Sequence, residues 1–149
     1  MALVLCFGIF AVTASAKAYT GTYNTAVTLA AGDTIAEGAV FKKRVTVPEG
    51  YVVTAGTFSG GVTNKGTLQA GKFDSAVSNT GTISGGTYTK SVTNNSGAVI
   101  TGGSIDCTVF NYGEIKGGDF SKSVTNEALI SGGNFTGSVV NNMTGEITG

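Results

Sequence analysis

The chain has 149 residues, 9 Lys+Arg balanced by 9 Asp+Glu, and a charged fraction of only 12% against roughly 25% in an ordinary globular domain, which leaves no basic surplus to hold a phosphate backbone and counts against nucleic acid as a partner. Histidine is absent and Arg44 is the only arginine, which removes the commonest general base, the commonest neutral metal ligand and nearly all bidentate oxyanion recognition. Glycine stands at 24 and proline at 1 beside 41% hydrophobic residues, a balance that argues against collagen, disorder and an enzyme and for many tight turns joined by short apolar strands.

Residues 1–12 (MALVLCFGIFAV) form an uncharged apolar run, too short to span a bilayer comfortably. Two overlapping small-x-small tripeptides follow, Ala14-Ser15-Ala16 and Ala16-Lys17-Ala18. Together they predict a secretory signal peptide over residues 1–18, lacking its basic n-region, with Met1 as an internal start and the mature chain beginning near Lys17 or Tyr19. A buried N-terminal strand or helix is the competing reading. A lipid anchor at Cys6 is disfavoured because Leu5 stands where such sites need a small residue. Cys107 is then the one thiol of the mature chain, read as an unpaired small residue at a turn, with pairing between molecules as the alternative.

Residues 19–55 predict two atypical N-terminal capping coils and residues 56–149 a six-coil repeat array. The array is clearest as sequence: residues 56–70 read GTFSGGVTNKGTLQA and 71–85 read GKFDSAVSNTGTISG. Units 86–102 and 133–149 carry two extra residues, while 103–117 and 118–132 keep fifteen. Three apolar columns run through all eight coils. One is aromatic (Tyr23, Phe41, Phe58, Phe73, Tyr88, Ile105, Phe120, Phe135). The second is invariant valine (Val27, Val45, Val62, Val77, Val92, Val109, Val124, Val139), and the third is Ile35, Val53, Leu68, Ile83, Ile100, Ile115, Ile130 and Ile147.

Apolar residues four, six and five apart do not follow a helical period, and Val, Thr, Phe and Gly form helices poorly. A hairpin meander would not place identical residues at the same step of each unit, whereas parallel stacking does so automatically. The pattern predicts an all-β, parallel β-solenoid (β-helix) of about eight roughly triangular coils, without fixing its handedness. At ~4.8 Å per coil the rod is roughly 40 Å long. Three buried side chains cannot offset the entropy of ordering fifteen residues, so a lone coil is unfolded and stability accrues where coils meet.

Asn64, Asn79, Asn94, Asn111, Asn126 and Asn141 recur two residues after the valine. An amide carries donors and an acceptor, so a stacked column predicts a structural asparagine ladder rather than a polar ligand track. Leu29 and Val47 take its place in the two capping coils. Phe110 and Tyr112 flank Asn111 where other coils carry Thr, Ser, Lys or Glu. They are the candidate ligand-contact residues, with covering of the insertion near Asn95 and Ser96 as the plainer reading. Lys42, Lys43 and Arg44 read as a solvated or edge-blocking cluster. Paired Thr87 and Thr89 are not repeated in neighbouring coils, which counts against ice binding. No catalytic residue, cofactor site or metal site is expected, because no Walker loop, calcium-repeat pattern, Cys/His cluster or nucleophile triad occurs.

The run GTYTKSVTNNSGAVITGGSIDCTVFNYGEIKGGDFSKSV resembles the imperfect Gly-rich repeats of bacterial secreted and cell-surface β-solenoid proteins, adhesin-like ones of gut bacteria above all, and the resemblance covers residues 21–149. It implies a secreted or cell-surface location in a bacterial envelope and a role as a stalk or display surface. The partners it implies are host or cell-surface glycans or proteins, with membrane contact only through the signal peptide or an anchor outside this sequence. Members of this family usually carry such an anchor or a barrel, so a truncated C-terminus and end-to-end self-association through an open coil are also expected. The alternatives are a carbohydrate-binding module using Phe110 and Tyr112, and a non-catalytic part of a polysaccharide-processing enzyme.

Overall fold

The structure, a computed structural model, describes residues 15–148; the expected leader is therefore outside the described residues up to position 14. Twenty-five strands of two or three residues each follow one another without a helix between Ser15 and Thr148. All pairing is parallel, and each interior strand of the long sheets meets its equivalents one coil below and one coil above. The chain is a β-solenoid.

Three long sheets form its faces. The aromatic sheet has eight strands, from Thr22–Tyr23 to Asn134–Phe135. The valine sheet also has eight, from Val27–Thr28 to Val139–Asn141, and the isoleucine sheet has seven, from Val52–Val53 to Glu146–Ile147. Register follows the sequence columns: Phe58 pairs with Phe73, Val77 with Val92 and Ile83 with Ile100. All of these residues are buried. The two insertions are absorbed in turns, so Val99–Ile100 stays opposite Thr82–Ile83 although seventeen residues separate Ile83 from Ile100.

Stacking puts like side chains one strand spacing apart. In the aromatic column the ring centroids of Phe41 and Phe58 lie 5.0 Å apart, those of Phe58 and Phe73 4.9 Å, and those of Phe73 and Tyr88 4.7 Å, with planes within 9° of parallel. The strand spacing sets that geometry, close to the offset stacks aromatic pairs prefer. Ile105 interrupts the stack, which resumes between Phe120 and Phe135. The Tyr88 hydroxyl is not stranded in the core, since it donates to the Gly85 carbonyl at 2.8 Å.

Glycine opens each unit for a steric reason. Gly86 has φ of +92°, and a Cβ built there would sit 2.9 Å from the Phe73 ring. Only a residue without a side chain takes that turn while letting the aromatic stack pass beneath it.

The amino-terminal coils depart from the regular pattern in two ways. Ala18–Tyr19 is a strand, paired with Thr34–Ile35 in a separate two-stranded sheet. Ile35 holds the isoleucine position of its coil, as the spacing predicts, but its strand is not part of the long isoleucine sheet, which begins at Val52–Val53. The turn of the second coil, through Pro48, Glu49 and Gly50, is longer by two residues than the turn between Asn64 and Leu68, and Pro48 has no N–H to give a ladder. Tyr51 bridges the gap instead, donating its hydroxyl to the Asp33 carbonyl at 3.0 Å. A depression of about 400 Å³ lies there, lined by Gly32, Asp33, Pro48, Glu49 and Tyr51 among others.

Candidate functional site

The three-residue strands of the valine sheet point their first and third side chains inward and the middle one outward. This places Asn64, Asn79, Asn94, Asn111 and Asn126 in the core with no solvent exposure. Their amides form a continuous chain. The Nδ2 of Asn64 donates to Asn79 Oδ1 at 2.7 Å, Asn79 to Asn94 at 2.8 Å, Asn94 to Asn111 at 2.8 Å, Asn111 to Asn126 at 2.7 Å and Asn126 to Asn141 at 2.7 Å. The same amides clamp the following turns. Asn64 donates to the Gly66 carbonyl and accepts from the Gly66 N–H, both at 3.1 Å, and Asn79 repeats this with Gly81.

In the longer coils the clamp reaches four residues ahead, from Asn94 to Ala98 and from Asn141 to Gly145. Every buried side-chain nitrogen and oxygen among the described residues has a partner. A fully connected polar network of this kind fixes the register of the stack, because sliding one coil would orphan several buried groups at once. At the amino-terminal end Val47 pairs opposite Asn64 and Leu29 is buried in the coil before it, so the column begins apolar.

Outside, the middle residues form a second column that the sequence reading does not single out: Thr46, Thr63, Ser78, Thr93, then Phe110, Thr125 and Val140. The signal for it is the x of the V-x-N motif. Phe110 is 40% exposed and Tyr112 47%, so both aromatics face solvent on either side of the buried Asn111. Beside the hydroxyl column a shallow depression of about 370 Å³ is lined by Arg44, Thr63, Ser78 and Thr93 among others. Lys42, Lys43 and Arg44 are all exposed.

Comparison with family models, with curated proteins and with solved structures finds no match to this chain. Its function has to be argued from its own surfaces.

The remaining chemistry-bearing groups are dispersed. Cys107 is a buried free thiol, and burial, with Asp106 beside it, pushes its pKa up to about 11. Asp74 is held below the usual carboxylate range by its hydrogen bond from Lys72, and Asp106 by those from Ser121 and Lys122. These are surface pairs, formed by Lys72 with Asp74 at 2.9 Å and Lys122 with Asp106 at 3.4 Å, and pairs so placed contribute little to stability. Among the described residues no three His, Cys, Asp or Glu side chains converge.

Proposed function

We propose that the chain is an exported structural β-solenoid, a non-catalytic stalk or display surface on a bacterial cell. The observation that carries this reading is the asparagine ladder. It spends the buried amides of five coils on cohesion between neighbours and leaves short hydroxyl and amide side chains outside. A rod built this way suits holding or spacing something more than transforming it. An epitope inserted at the exposed Ser96–Gly97 turn tests the location. Antibody labelling of intact producing cells is the expected result, and labelling only after lysis refutes surface display.

A second reading is favoured by the exposure of Phe110, in the middle of strand Val109–Asn111, and of Tyr112 just after it. Two aromatic rings beside a hydroxyl column form a surface on which a sugar ring can stack and hydrogen-bond, so the display surface would itself bind glycans of the cell or host. Glycan-array binding that is lost in Phe110→Ala and Tyr112→Ala supports this reading, and arrays left blank by the native chain refute it.

A further inference from the structure

We propose that the export signal is cut between Ala16 and Lys17, and that the new α-ammonium of Lys17 is received by the carboxylate of Asp33. This inference rests on the export reading above. The sequence offers two sites with small residues three and one positions before the cut, after Ala16 and after Ala18. The fold distinguishes the products of the two cuts.

Hydrogen bonding of the described chain begins at residue 17. The Lys17 backbone nitrogen donates to Asp33 Oδ1 at 2.8 Å, and the Lys17 carbonyl accepts from the Thr34 N–H at 2.9 Å. Ala18–Tyr19 then pairs with Thr34–Ile35, and the Tyr19 carbonyl accepts from Ala36. The Lys17 ammonium also lies 4.7 Å from the Tyr19 ring centroid and 5.2 Å from that of Tyr23, within cation–π range. Ser15 and Ala16, by contrast, make none of the hydrogen bonds among the described residues.

Asp33 is aimed in advance. Its Oδ2 accepts from the Ala30 N–H at 2.9 Å, which orients the carboxylate and leaves Oδ1 for residue 17. A cut after Ala18 discards Lys17 and half of the first strand, and uncovers the buried Tyr19. A cut after Ala16 keeps every one of these contacts. In that step a signal peptidase adds water across the Ala16–Lys17 amide. The C–N bond breaks, Ala16 leaves as a carboxylate with the leader, and the Lys17 nitrogen becomes an ammonium. The bond, already charge-assisted through its carboxylate acceptor, thereby becomes an ion pair with charge on donor and acceptor alike.

The test is N-terminal sequencing and intact mass of the full chain expressed in a bacterium, with two lysines placed after the initiating methionine to supply the basic n-region. Lys17 as the first residue of the exported protein is expected, and Ala18→Leu is expected to leave that cut unchanged. An exported protein starting at Tyr19, or at any residue other than Lys17, overturns the proposal and leaves export standing. A chain retained inside the cell with residues 1–16 attached overturns the export reading as well. The ion pair has its own readout in chains starting at Lys17 and at Ser15, each with and without Asp33→Asn. The melting temperature lost through Asp33→Asn should be larger in the Lys17 chain, and equal losses in the two overturn the ammonium–carboxylate pairing.

Discussion

Replacing Asn94 by alanine removes two rungs from the middle of the ladder. Asn94 accepts from Asn79 at 2.8 Å and donates to Asn111 at 2.8 Å. At a net ~1 kcal/mol per hydrogen bond, the two rungs account for about 2 kcal/mol. The groups left behind are buried but keep partners, Asn79 Nδ2 at the Gly81 carbonyl and Asn111 Oδ1 at the Gly113 N–H. Their partial loss adds ~1–2 kcal/mol, below the full penalty for an orphaned group. A cavity the size of a carboxamide adds about 1 kcal/mol more. The expected cost is therefore about 4–5 kcal/mol. Asn64→Ala tests the start of the column, where Val47 lies below: one rung, to Asn79, is lost together with the bonds to Gly66 and Thr82. It should cost a comparable amount, since Asn94 also gives up its bonds to the Ala98 and Glu114 carbonyls beside its two rungs. Asn94→Leu fills the space but leaves the same amides unmet, so it should rescue little. Urea denaturation followed by circular dichroism measures all three. Hydrogen exchange at the Asn95 and Tyr112 amides, bonded to the Asn79 and Asn94 carbonyls, shows whether the damage is local, as nearest-neighbour stability requires. A loss under ~1 kcal/mol at Asn94 refutes the reasoning.

Gly86→Ala forces a side chain into a positive-φ turn against the Phe73 ring and should cost about 2 kcal/mol or more in the same denaturation assay. Ile105→Phe should join the two aromatic stacks that Ile105 separates and raise stability by about 1 kcal/mol; a lower melting temperature would show that the column has no room for the ring. Cys107 should resist a thiol reagent at pH 8 in the folded protein and react once the protein is unfolded. With its folded pKa raised to about 11 and an ordinary unfolded value near ~8.5, the thiol's linked stability should hold below ~8.5 and decline as pH rises toward 11. Phe110→Ala and Tyr112→Ala, at exposed positions, should each change unfolding free energy by no more than about 0.5 kcal/mol. A larger loss would mark them as packing residues instead of surface ones.

The columns were legible in the sequence because a stacked coil converts spatial neighbours into a linear period. Valine at one step and asparagine two residues later carry no ambiguity about which side chains share a face, since strand periodicity sends both inward. The same logic places Phe110 and Tyr112 outside. What the period could not show lies where the coils stop being equivalent. Ala18–Tyr19 is a lone two-residue strand whose partner, Thr34–Ile35, is sixteen residues away, and a single occurrence leaves no repeat to detect. Ile35 fits its column by spacing, yet its strand pairs with Ala18–Tyr19 and not with Val52–Val53. The sequence shows Thr or Ser at the step Phe110 occupies, but these outward residues are chemically varied and under no packing constraint, so they do not stand out as a column. The Lys17–Asp33 contact depends on the break in regularity itself.

The ladder also has a direction. Each Nδ2 points to the coil that follows, so the column starts at Asn64 above Val47 and advances through Asn141. At the last described rung the Asn141 amide is exposed and donates to the Gly145 carbonyl at 2.8 Å. At its start the column is apolar: Val47 lies opposite Asn64 and Leu29 is buried in the coil before it. Asn64 Oδ1 therefore meets no amide from the preceding coil and accepts from the Gly66 N–H instead. The change from amide to aliphatic side chain thus costs no satisfied partner: among the described residues no buried side-chain nitrogen or oxygen is left without one.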